Sequence, residues 1–91
     1  MKYLHRSLKA KKGTHINVHF SEPTKVLLLG DYNYKKYKDC RTYDYRGGVL
    51  ESSPHQFVVP NDGLWHVVVE KGSYYNPKNI VASVEVSVHA A

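Results

Sequence analysis

The sequence predicts an all-β fold: a single small sandwich or partly closed barrel of about seven short, mostly antiparallel strands, with at most one short helical turn. Three observations predict it. Apolar residues recur with a period of two, the apolar runs are too short for helices, and turn signals separate them at intervals of about ten residues.

Taken in order, "MKYLHRSLKAKKG" carries charge at almost every other position and reads as an edge strand running into a lysine-rich hairpin tip. In "HINVHF", Ile16, Val18 and Phe20 point one way while His15, Asn17 and His19 point the other. "KVLLLG" follows as a short apolar run. Residues 31–38 suit one helical turn, with Asp31 as its cap and Tyr34 and Lys38 on one face. "TYDYR" alternates again, setting Tyr43 and Tyr45 opposite Thr42, Asp44 and Arg46. Gly47 and Gly48 permit positive φ in a turn that returns this strand. Pro54 and Pro60 bracket "HQFVV" and limit its length by removing ladder donors. The "NDG" after Pro60 signals a tight hairpin. "LWHVVVE" then sets Leu64, His66 and Val68 against Trp65, Val67 and Val69, with Trp65, the largest apolar body, expected at the centre of the core. In "SVEVSVH", Val84, Val86 and Val88 face inward and Ser83, Glu85, Ser87 and His89 outward.

A chain of 91 residues forms one domain, residues 1–91, with a marginal core. Its 42% hydrophobic content is that of a globular protein rather than a disordered one. Thirteen Lys+Arg against eight Asp+Glu give a charge of +5, which favours anionic partners or serves solubility alone. Cys40 is the single cysteine, so no internal disulfide forms and a reducing cytoplasm is the expected location. No signal peptide or membrane span is expected, since no segment approaches the roughly 18 apolar residues that a span needs.

Chemistry concentrates in "DYNYKKYKDCRTYDYRGG", where five tyrosines and five lysines or arginines fall within eighteen residues. If the Tyr43–Tyr45 face is inward, the rings are core. If it faces outward, they form a stacking platform beside cations, suited to a base, a mononucleotide or a sugar. Lys35 and Lys36 form a solvated face or contact phosphate. Lys9, Lys11 and Lys12 likewise either protect an edge strand or touch phosphates as point charges. The compact aromatic motifs of RNA-binding and cold-shock sheets are not found, which weakens the nucleic-acid reading.

Six histidines raise a metal question. His15 and His19 share a strand face but sit roughly 13 Å apart at about 3.3 Å per residue, and no paired-ligand motif accompanies them, so no metal and no cofactor are expected. Cys40 lies between Asp39 and Arg41 without a placed histidine, and Ser52 and Ser53 match no hydrolase turn, so no enzyme is expected. His66 sits in a central strand, where a buried imidazole needs a partner; Asp44 or a tyrosine hydroxyl is the expected one. The alternative makes it a site residue on the rim of a pocket under Trp65.

The order "YDYRGG", "SPHQFVVP", "DGLWHVVVE", with the opening "MKYLHRSL", resembles a small bacterial domain-of-unknown-function family found alone or joined to a TIR domain. The resemblance covers nearly the whole chain. It implies an all-β sandwich that senses or tethers beside a TIR-type signalling partner, and it transfers no catalytic residues. The loop at residues 73–79 is bulkier than the family's glycine-rich turn, which implies a different pocket rim.

The expected function is therefore a non-catalytic binding or sensor module for a small polar or nucleotide-like ligand or a partner protein. Tyr43, Tyr45, Arg41, Arg46, Trp65 and His66 are its candidate ligand residues. The alternatives are a nucleic-acid binder that uses the basic N-terminal hairpin with the tyrosine face, and a homo-oligomer whose assembly is the function.

Overall fold

The computed structural model describes residues 3–71 and 79–87. The described residues form seven strands, β1 (Tyr3–Ala10), β2 (His15–Phe20), β3 (Thr24–Gly30), β4 (Arg46–Leu50), β5 (His55–Val58), β6 (Gly63–Glu70) and β7 (Ala82–Ser87), and one helix, α1 (Asp31–Lys38). They form two antiparallel sheets, ordered β1-β6-β3-β4 and β5-β2-β7. The architecture is the sandwich alternative. Among the described residues no helix is long and apolar enough to cross a membrane.

Alternation decides which strands have one covered face. β2 buries Ile16, Val18 and Phe20 and turns His15, Asn17 and His19 outward. β3 and β6 are different: Val26, Leu27, Leu28 and Leu29 are all buried, as are Val67, Val68 and Val69. A strand apolar on both faces needs cover on both. One face, with Val26, Leu28, Val67 and Val69, packs against β2, Phe57 and Val84 of the opposite sheet. The other face, with Leu27, Leu29 and Val68, is closed by Tyr34 of α1 and flanked by Tyr3, Tyr37 and Tyr43. The domain thus has a third layer, one helix thick, over the four-stranded sheet.

α1 spans the expected residues, but Asp31 is its first residue rather than its cap. The N-cap is Gly30, which has no side chain to make a cap bond, and the Asp31 carboxylate is engaged with His66 and Lys35. The far end closes as a Schellman motif: Arg41 N–H donates to the Lys36 carbonyl (2.9 Å) and Cys40 N–H to that of Tyr37 (3.2 Å). Cys40 occupies the left-handed position, with φ 56°.

Four expectations are corrected. "TYDYR" is not a strand: residues 41–45 are irregular and the ladder begins at Arg46, because the chain leaving α1 must first cross the helix layer to reach β3. Gly47 and Gly48 lie within β4, opposite Leu27 and Val26, and not in a turn. Gly47 has φ +106°, and a Cβ there would collide with the Val26 carbonyl oxygen and sit 3.1 Å from the Phe57 ring. Neither the lysine-rich turn nor "NDG" closes a hairpin. β1 and β2 belong to different sheets, as do β5 and β6, so both turns carry the chain between layers. Lys12 N–H donates to the Asp62 carboxylate (2.7 Å), tying the two crossings together. Trp65 is only half-buried, at the margin of the core. Its indole N–H donates to the Asn61 carbonyl (2.8 Å), which fixes the ring at the sandwich end rather than at its centre. Val88 and His89, and residues 73–78 of the bulky loop, lie outside the described residues.

Candidate functional site

The helix side of the four-stranded sheet carries nearly all the unusual chemistry. β6 alternation turns His66 toward α1, where only 5% of it is exposed. Its Nε2 lies 2.9 Å from Asp31 Oδ1, and its Nδ1 lies 2.8 Å from His5 Nε2 on the neighbouring strand. A carboxylate only accepts, so His66 Nε2–H donates to Asp31; the His66 Nδ1 lone pair then takes the His5 Nε2–H when both rings are neutral. Tyr34 stacks over both imidazoles, each at 4.2 Å between centroids. Lys35 holds the second Asp31 oxygen at 3.1 Å, one helical turn on. The partner of His66 is thus Asp31 with His5, and not Asp44. Asp44 instead offers its backbone N–H to Asn33 Oδ1 (3.0 Å).

Electrostatics follow from these contacts. The His5 imidazole is held below its ordinary pKa by partial burial, then by His66 and Lys38. Asp31 is held low by the His66 hydrogen bond and then by Lys35, against a smaller opposing effect of burial. Burial, with the Tyr3 hydroxyl 3.4 Å away, pushes Tyr34 up to about 12.

Two clefts flank the irregular segment between α1 and β4. The first, about 450 Å³, lies at the sandwich end where β3 stops and β5 crosses to β6, and its walls include Asn33, Asp44, Tyr45, Arg46, Asn61 and Trp65. The second, about 740 Å³, opens on the helix side among Tyr3, Lys25, Tyr37, Lys38, Tyr43 and Glu70. Tyr43 and Tyr45 stand back to back between the clefts, rings 5.4 Å apart, because the segment is irregular and does not alternate as a strand would. Lys25 reaches both, 3.4 Å from the Tyr43 hydroxyl and 5.8 Å from the Tyr45 ring centroid.

Of the six candidate ligand residues, Tyr45, Arg46 and Trp65 converge on the first cleft and Tyr43 lines the second. His66 is buried behind Tyr34. Arg41, exposed just past the helix, lines neither. The lysines divide: Lys9, Lys11 and Lys12 lie at the β1 end beside the start of β6, and Lys35 and Lys36 on α1. His5 and Tyr37 were not singled out from the sequence, and Asp31 was singled out only as a helix cap. Residues three or four apart in "DYNYKKYK" share a helix face, so Asp31, Tyr34 and Tyr37 were legible as one surface; their pairing with β1 was not.

The fold and this site now meet a family assignment. The family described as a domain of unknown function, DUF1883, matches residues 1–90. The chain is a DUF1883 domain. Comparison with curated proteins gives no match. Membership in a family of unknown function agrees with the resemblance carried by "YDYRGG" and "DGLWHVVVE". In this DUF1883 domain those segments supply Asp44, Tyr45 and Arg46 on one side of the first cleft and Trp65 on another.

Proposed function

We propose that this DUF1883 domain is a non-catalytic binding module whose first cleft takes a small polar, nucleotide-like ligand. The observation that carries the reading is the convergence of Tyr45, Arg46 and Trp65 on one concave site with Asn33, Asp44 and Asn61. Two aromatic bodies offer stacking surface, a guanidinium suits phosphate, and a carboxylate and amides suit hydroxyls and ring nitrogens. These are recognition groups rather than a catalytic set. The imidazole of His66, next to Trp65 in the sequence, has both nitrogens engaged.

In a bacterial cytoplasm, beside a TIR-type signalling protein as the sequence resemblance implies, such a module would sense a metabolite and report its presence. Adenosine monophosphate serves as the first probe. Trp65 is the single tryptophan, so its emission reports this cleft. Saturable quenching in the native chain, lost in Arg46→Ala and Tyr45→Ala, supports the reading. Quenching that rises linearly without saturation, or that survives both substitutions, refutes it.

A further inference from the structure

The second cleft is built differently and stands apart from the reading above. Tyr37 is nearly perpendicular to Tyr3 (79°, centroids 5.7 Å apart) and to Tyr43 (86°, 5.2 Å). Three rings meeting at near right angles give a flat guest both a face to stack on and an edge to meet. Such walls alone would also suit a quaternary ammonium. The charges decide between these guests. Lys25 and Lys38 both line the cleft, against one carboxylate, Glu70. That carboxylate already accepts the Tyr37 hydroxyl at 2.9 Å. Lys25 is positioned by the Tyr43 hydroxyl, and Lys38 stands 5.2 Å from the Tyr34 ring centroid. Two held ammonium groups therefore repel a cationic guest and attract an anionic one.

We propose that the Tyr3–Tyr37–Tyr43 cleft is a second ligand site, selective for a planar aromatic ring bearing an anionic substituent. The ring packs among the tyrosines and the anion lies between Lys25 and Lys38. A volume of about 740 Å³ admits such a molecule with room for its solvent. The site has its own reporter, because Cys40 lies on its wall and is the single cysteine.

The test uses phenyl phosphate on the full chain, following the rate of Cys40 alkylation by iodoacetamide alongside Trp65 emission. The expected result is saturable protection of Cys40 with Trp65 emission unchanged. Protection should weaken by about tenfold in Lys25→Met, the order of one charge-assisted contact, and Lys38→Met carries the same test should the first variant fail to fold. Absence of saturable protection overturns the proposal. So does equal protection by inorganic phosphate, which would leave an adventitious anion site, or stronger protection by benzyltrimethylammonium, which would make it a cation cage. Because Trp65 reports the other cleft, failure here leaves the first reading standing, and failure there leaves this one.

Discussion

His5 Nε2 and His66 Nδ1 face each other at 2.8 Å, so one proton is shared between two imidazoles. The bond survives as long as a single hydrogen lies between the rings. Protonating both rings places hydrogens on both facing nitrogens and breaks the contact.

This arrangement fixes the sign of a pH effect. His5 titrates below its ordinary 6.5 in the folded chain, so just below that pH the unfolded state binds more protons and stability rises with pH. Asp31, held below 3.8, adds a second loss in stronger acid, as its carboxylate is protonated. The urea midpoint should fall as buffer is taken from neutrality to about pH 5, and His5→Gln should flatten that fall. A midpoint that rises on acidification would contradict the account.

Trp65→Ala should leave a folded domain. The ring is half-buried at the margin of the core, so its truncation should cost about 2 kcal/mol, below the roughly 3–5 kcal/mol of a fully buried aromatic. Urea unfolding followed by circular dichroism measures this. Global unfolding of the variant would return Trp65 to the centre of the core.

Two backbone positions should respond in opposite directions. Gly47→Ala places a methyl against the Val26 carbonyl and the Phe57 ring at φ +106°, and should destabilise by about 2 kcal/mol or more. Cys40→Gly relieves a left-handed residue at the helix C-terminus. Gly avoids a cost of about 1–2 kcal/mol there but loses more entropy on folding, so a net gain of about 0.5–1 kcal/mol is expected. Thermal melts of the two variants, read against the native chain, check both signs.

Salt separates the alternative of nucleic-acid binding. Lys9, Lys11 and Lys12 lie in β1 and the turn after it, whereas Lys35 and Lys36 lie on the helix layer. A binder that used all five would show affinity falling steeply between low and physiological salt. The expected result with a single-stranded oligonucleotide is weak, unsaturated binding; tight, steeply salt-dependent binding would favour the alternative.

The fold class, the helical turn and the alternation of β2 were legible because they rest on local periodicity and composition. The helix layer was legible too, in hindsight: Val26 to Leu29 and Val67 to Val69 are continuous apolar runs, which a one-sided sheet would not tolerate. The sheet assignment was not legible. "NDG" and "KAKKG" have hairpin chemistry, but a turn sequence does not say whether its flanking strands pair or part into opposite sheets. The His5–His66–Asp31 contact was hidden for a related reason. It joins residues 61 and 35 positions apart through β1–β6 pairing and helix docking, and no short-range pattern records such a register. The sequence pattern puts Tyr43 and Tyr45 on one strand face, whereas the irregular segment turns them into different clefts.

Native mass spectrometry of the protein purified from cells tests the binding claim most directly. The account expects an added mass of a few hundred daltons, released on denaturation and missing from Tyr45→Ala and Arg46→Ala. A bare chain mass in the native protein, unchanged after mononucleotide is added, would contradict it.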